Sequence, residues 1–215
     1  MARTTAPLLS WSAYGQIAKT QVYASWKGRS YVRRYAVPAN PQTTEQTKTR
    51  SVFAALCALY QYLPAGSLGA WTLYGKNSQF TARNGWIKQN LPVLRGETDL
   101  NNIIMSPAAG GGLPATDVTP TPGDTEIVVD LTEPDLPVGW TITKAWAMAI
   151  LDADPNMVIT PEVVAGSDDT TPYSVTLTGL TNGSVYQVGG WFEYVRADGS
   201  TAYGVSTVTQ STPTA

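Results

Sequence analysis

The chain has 215 residues, is 43% hydrophobic and contains seven tryptophans and eleven tyrosines, so it can bury the cores of one or two domains and is not a disordered chain. It has no histidine and one cysteine, which excludes an internal disulfide and any catalytic or metal site that needs histidine. The net charge of −2 is unevenly distributed: residues 1–112 carry twelve basic and three acidic side chains (+9), and the remainder carries two basic and thirteen acidic ones (−11). Halves of opposite sign predict two units with different partners.

The amino-terminal residues MARTTAPLLS contain no apolar run of the kind found in a signal peptide, and no stretch of about 20 apolar residues follows anywhere in the chain. We therefore expect a protein that is made in a cytoplasm and has no membrane partner.

A basic and aromatic segment, WKGRSYVRRYAVPANPQTTEQ, spans residues 26–46. Its Lys27-Gly28 pair predicts the two-residue turn of a β-hairpin. The register of that hairpin places three cross-strand pairs on one face: Trp26 with Arg29, Ala24 with Tyr31, and Val22 with Arg33.

The hairpin supplies the candidate site residues, for which three interpretations are open. They could be cross-strand packing with a solvated basic face, or bind phosphates and bases. They could also anchor the chain to another protein, because Trp, Tyr and Arg are enriched at binding hot spots and an isolated two-stranded ribbon is marginal in water. The following helix has no run of basic residues to track phosphates, which disfavours nucleic acid. The predicted protein-docking residues are Trp26, Arg29, Tyr31, Arg33 and Arg34.

A buried helix is predicted next, with two alternative starts: Asn40 as cap before Pro41, or Thr43 forming a capping box with Gln46. Its apolar stripe, spaced by three and four residues, ends before Pro64 and comprises Val52, Leu56, Leu59 and Leu63, with Phe53 and Tyr60 beside it. Two shorter helices are expected within SLGAWTLYG and SQFTARNGWIKQNLPVL, with Trp71, Phe80, Trp86 and Ile87 closing a small core.

The segment SPAAGGGLPATDVTPTPGD, residues 106–124, is rich in Gly, Pro, Ala and Thr, and its length permits either a loose tether or an extended strap across a neighbour. We take it as a flexible linker. The predicted organisation is multidomain, α+β then all-β: a basic hairpin and helical docking domain over 1–105, the linker over 106–124, and a β-sandwich over 125–215.

The carboxy-terminal part contains five strand-like runs separated by turns, at 125–131, 142–151, 173–180, 184–195 and 201–210. Within them LTGLTNGSVYQV resembles the corner of fibronectin type III and immunoglobulin-like domains. That resemblance implies that the ring of Tyr186 is buried, that its hydroxyl bonds to backbone, and that Leu180 plugs the core.

A second resemblance concerns residues 25–95. WKGRSYVRRYAVPANPQTTEQTKTRSVFAAL followed by LGAW is similar to small structural proteins of tailed bacteriophages, in which a W-K-G hairpin leads into N-P-x-T-x-x-Q, R-x-x-F and a later Trp. This implies a non-enzymatic virion protein, docked on capsid or tail subunits in a symmetric or homo-oligomeric arrangement and displaying the sandwich.

Two other classes of function remain open: a nucleic-acid-binding adaptor, and a carbohydrate-binding β module. We expect no enzyme, cofactor or metal, because most of the carboxy-terminal acids lie in apparent turns and GGGLPAT lacks the lysine of a phosphate loop.

Overall fold

The computed structural model describes residues 2–3, 13–37, 39–40, 42–155 and 162–215. The chain divides into two compact units, Met1–Gln42 and Thr43–Ala215. The division therefore lies about 60 residues before the linker that the sequence predicts. It does not fall at that linker because the helices and the larger sheet share one core.

The first unit is an antiparallel sheet in the order β1-β4-β3-β2, built from Ala2–Arg3, Gly15–Ile17, Gln21–Trp26 and Arg29–Arg34, which are β1 to β4 in turn. The β3–β4 hairpin turns at Lys27 and Gly28, whose φ angles of 49° and 73° suit a primed turn. The predicted register is confirmed, with Trp26 opposite Arg29, Ala24 opposite Tyr31 and Val22 opposite Arg33.

The second unit begins with three helices, α1 (Thr44–Leu59), α2 (Ala65–Ser78) and α3 (Ala82–Leu94). Thr43 caps α1, its side chain accepting a hydrogen bond from the Gln46 backbone N–H at 3.4 Å, so the second of the two predicted starts is the one used. Thr81 caps α3 in the same way.

The helices bury the predicted stripe of α1, namely Val52, Leu56, Leu59 and the following Leu63. Trp71 and Trp86 meet edge to face at 5.6 Å beneath it. The prediction that Phe80 closes this core is wrong: its ring is 40% exposed, because left-handed Gln79 ends α2 and leaves Phe80 in the turn before α3. Lys88 Nζ lies 4.3 Å from the centre of that ring.

In residues 117–155 and 162–215, eight strands follow and form two antiparallel sheets. The smaller has the order β5-β6-β9, and the larger has β11-β10-β7-β8, with β12 also paired to β10. Their bounds are Asp117–Gly123 (β5), Glu126–Thr132 (β6), Thr141–Leu151 (β7), Val163–Asp168 (β8), Ser174–Thr178 (β9), Tyr186–Val195 (β10), Thr201–Tyr203 (β11) and Thr207–Ser211 (β12).

The segment predicted as a flexible linker, residues 106–124, is largely ordered: residues 117–123 form strand β5, and we call the residues before it, 105–116, the strap. Residues 117–123 pair with β6 over their whole length. Before them, the Met105 carbonyl accepts hydrogen bonds from Ser67 Oγ at 2.6 Å and Trp71 Nε1 at 3.1 Å, both buried. Ser106 is fully buried as well. Ser106 Oγ also donates a hydrogen bond to the Gly204 carbonyl in the sandwich. Residues 105 and 106 thus contact both the helices and the sandwich.

The helices and the larger sheet share one core, which is why the chain does not divide at residue 105. One face of β7 and β10 packs on the smaller sheet, and the opposite face contributes Met148, Ile150 and Trp191 to the core that contains Leu56 and Trp86. Every residue of β10 from 186 to 192 is buried. The sequence predicts a helical domain and a separate sandwich, whereas the helices and the sandwich form one compact unit, Thr43–Ala215.

Tyr186 lies in the sandwich core, fully buried, and its hydroxyl accepts a hydrogen bond from the Thr181 backbone N–H at 2.9 Å. The same hydroxyl donates to the Glu162 carboxylate. Burial, followed by that bond, raises the pKa of Tyr186 above its ordinary value. Leu180 is 3% exposed in the same core.

We predict that Gly66→Ala destabilises the second unit. A methyl group at Gly66 would overlap the indole of Trp146 on β7, at the point where α2 approaches the sheet. Overpacking of this kind costs about 1–3 kcal/mol. Urea denaturation followed by circular dichroism measures it. Gly96→Ala is the control, because a methyl group there would meet no described residue within 4 Å other than its chain neighbours. Equal midpoints for the two variants would show that the helices do not press on the sheet at this point.

We predict that Tyr186→Phe lowers the free energy of unfolding by about 0.5–1.5 kcal/mol through the lost hydrogen bonds. The matched control is Tyr62→Phe, whose side chain is 55% exposed. A denaturation midpoint unchanged by Tyr186→Phe would contradict a structural role for the hydroxyl.

Candidate protein-docking surface

The hairpin presents two different faces, because neighbouring residues of a strand point to opposite sides of a sheet. We define the Trp26 face by Val22, Ala24, Trp26, Arg29, Tyr31 and Arg33, which are linked by the observed register. The opposite face, which we call the Tyr23 face, contains Tyr23, Ser25, Ser30, Val32 and Arg34.

Four of the five predicted docking residues, Trp26, Arg29, Tyr31 and Arg33, therefore lie together. Arg34 does not join them, since it is paired with Gln21 on the Tyr23 face. The sequence places Arg33 and Arg34 side by side, but the strand alternation separates them. The two arginines are both exposed and so form a natural matched pair for experiments.

The sheet has no interior of its own in the residues described. Between residues 13 and 40, no described side chain is buried. Trp26 is 67% exposed, and Tyr14 and Ile17 are 71% and 42% exposed. A tryptophan left in water forgoes the stabilisation of about 1.5–3 kcal/mol that burial of a large apolar side chain provides.

The charge of this unit has one sign. Residues 1–42 contain six basic side chains and no acidic one, giving +6, whereas residues 43–215 contain eight basic and sixteen acidic ones, giving −8. Lys27 Nζ lies 4.7 Å from the centre of the Trp26 ring, so the aromatic group carries a cation beside it. Apolar and basic groups thus lie side by side at this end of the hairpin.

Two acidic residues of the sandwich, Asp168 and Asp198, hold turns through hydrogen bonds to nearby residues. Asp168 accepts hydrogen bonds from the backbone of Ser174 and from Thr170, and these bonds lower the pKa of Asp168. Asp198 accepts from the side chain and backbone of Ser200, with the same effect on its pKa. Within the described ranges, no three His, Cys, Asp or Glu side chains are grouped so that they could hold a metal ion.

No single helix of the described chain is long and apolar enough to cross a membrane. One pair bent by 117°, Thr44–Tyr62 with Ala65–Lys76, meets the requirement by length and composition.

A second surface was not predicted from the sequence. A groove of about 490 Å³ between α1 and α3 is lined by Phe53, Arg83, Asn84, Ile87 and Lys88. We call it the α1–α3 groove. The sequence contained one indication of this groove. Phe53 lies beside the apolar stripe of α1 and not within it, and its side chain is 46% exposed.

No protein-family model and no curated protein sequence matches the chain. Among solved structures, the chain is similar to a computationally redesigned β-sandwich protein, with 18% identity over 47% of this chain and 90% of the other, and a TM-score of 0.34. It is also similar to a structure described as a myokine, with 18% identity over 47% of this chain and 97% of that one, and a TM-score of 0.31.

We predict that Trp26→Ala leaves the folding of the isolated protein nearly unchanged, within about 0.5 kcal/mol, as is usual for exposed positions. Thermal unfolding followed by circular dichroism would measure it, and acrylamide quenching should show the loss of one accessible tryptophan. A large fall in the melting temperature would mean that Trp26 is a core residue.

Proposed function

We propose that the protein is a non-enzymatic structural protein of a bacteriophage virion. In this proposal the first unit docks on an acidic surface of the capsid or tail through the Trp26 face, and the second unit is displayed on the particle. The resemblance of residues 25–95 to phage structural proteins motivates the choice of partner.

The observation that carries the proposal is a sheet whose described side chains are all at least partly exposed. A small sheet normally needs a covered face to be stable. A partner that covers the Trp26 face would supply that burial, with Trp26 and Tyr31 as anchors and the arginines around them.

Charge supports an acidic protein as the partner. The +6 of residues 1–42 would repel other copies of itself on a crowded lattice unless carboxylates lay nearby. Arginines at the rim of such a contact chiefly raise the rate of association and fix the register, while the desolvated aromatic side chains chiefly slow dissociation.

The displayed unit is, in this proposal, a fibronectin type III-like or immunoglobulin-like sandwich with an added helical layer. This proposal is supported by the strand orders of the two sheets. The three-stranded sheet β5-β6-β9 packs against a larger sheet in which β10 lies between β7 and the last two strands, β11 and β12. The hydrogen bond of Tyr186 to the backbone upstream agrees with the tyrosine corner of such domains.

The test is co-sedimentation of the purified full chain with particles that lack it. Trp26→Ala should weaken binding by about 30-fold, equivalent to about 2 kcal/mol, through faster dissociation. Arg33→Ala should slow association and flatten the dependence on salt. Arg34→Ala, one residue away on the Tyr23 face, is the matched control and should bind like the wild type.

Three outcomes count against the proposal. Equal losses for Arg33→Ala and Arg34→Ala would mean that net charge, and not the Trp26 face, drives binding. Binding that all three variants retain would assign docking to another surface. Retention of the chain on DNA that falls steeply with salt, together with no binding to particles, would favour a nucleic-acid-binding adaptor.

A further inference from the structure

The α1–α3 groove combines apolar and basic side chains on a unit whose overall charge is −8. Phe53 and Ile87 supply its apolar part, and Arg83 and Lys88 its charged part. Arg83 and Ile87, like Asn84 and Lys88, are four residues apart, so the α3 side of the groove is one helix face. Among the described residues, no acidic side chain lines the groove, which makes it a complement for an acidic segment with an exposed apolar side chain.

The same chain contains such a segment in residues 133–140, EPDLPVGW, which we call the 133–140 loop. Glu133 and Asp135 are exposed there. The Trp140 N–H donates to the Pro137 carbonyl at 3.1 Å, and Gly139 has a φ of 80°, so Val138 stands at the corner of a tight turn. Its side chain is 99% exposed, an unusual position for valine.

The loop cannot fill the groove of its own chain. Leu136 and Trp140 hold it against the core between the two sheets. The groove belongs to the helices, which pack on the other face of the larger sheet. A contact between loop and groove therefore requires two molecules.

We propose that the 133–140 loop of one copy docks in the α1–α3 groove of a second copy. Val138 and Pro137 enter between Phe53 and Ile87, while the two loop carboxylates face Arg83 and Lys88. A single loop covers less area than a stable interface needs, so the contact is weak in solution and is strengthened when copies are held side by side. Because loop and groove are different surfaces, the contact joins copies into a ring, a chain or a reciprocal pair.

The test is sedimentation velocity of the full chain with charge-reversed variants. Arg83→Glu with Lys88→Glu reverses the charge of the groove, and Glu133→Lys with Asp135→Lys reverses the charge of the loop. All four altered side chains are exposed, so folding should persist. We expect wild-type self-association with a Kd between about 10 µM and 1 mM. Each variant alone should associate at least tenfold more weakly.

The two variants mixed in equal amounts should associate again, because each reversed surface then meets an opposite charge. The matched control, Lys48→Glu with Lys76→Glu, changes the net charge as the groove variant does but lies outside the groove lining, and should behave like the wild type.

This inference does not depend on the proposed docking to particles, and its failure is separately visible. A wild-type chain that stays monomeric at about 1 mM, or a mixture that does not regain association, overturns it. So does self-association that survives groove reversal but is lost in Trp26→Ala, which would assign the contact to the Trp26 face.

Discussion

The second unit depends on the burial of both faces of strands β7 and β10. On one side Tyr186, Val188 and Phe192 meet the smaller sheet, and on the other Trp191 meets the helices. A strand covered on both faces cannot tolerate bulk at every position, and a methyl group at Gly189 or Gly190 would press on Met105 or Leu131. The helices, the strap and the smaller sheet therefore all pack on the larger sheet, and we expect them to unfold cooperatively.

The sequence was sufficient to predict features determined by near neighbours. Lys27-Gly28 determines the turn and hence the hairpin register, and the spacing of Val52 and Leu56 determines the buried side of α1. The start of α1 was narrowed to two alternatives, of which Thr43 is the one used. The side on which each docking residue lies also follows from alternation along β4. That rule separates Arg34 from Arg33, although both were predicted as one group.

Features determined by distant contacts were not predictable in the same way. β5 was taken as part of a linker because residues 106–124 are rich in Gly, Pro, Ala and Thr and lack apolar periodicity. Its two prolines, Pro120 and Pro122, are tolerated because β5 is an edge strand. The joint core was missed because Trp191 and Met148 alternate with sandwich residues along their strands, and the helices that cover that face lie far away in sequence. The α1–α3 groove arises in the same way, from two helices that are not adjacent in sequence.

The opposite charges of the two units come from Lys, Arg, Asp and Glu, residue types whose ordinary pKa values lie well away from neutral pH. Histidine is the side chain whose ordinary pKa lies between about 5 and 8, and the sequence has none. The charge pattern of the two units is therefore built without a histidine. A change in the strength of an assembly between a mildly acidic and a mildly alkaline medium would have to come from groups other than a histidine of this chain.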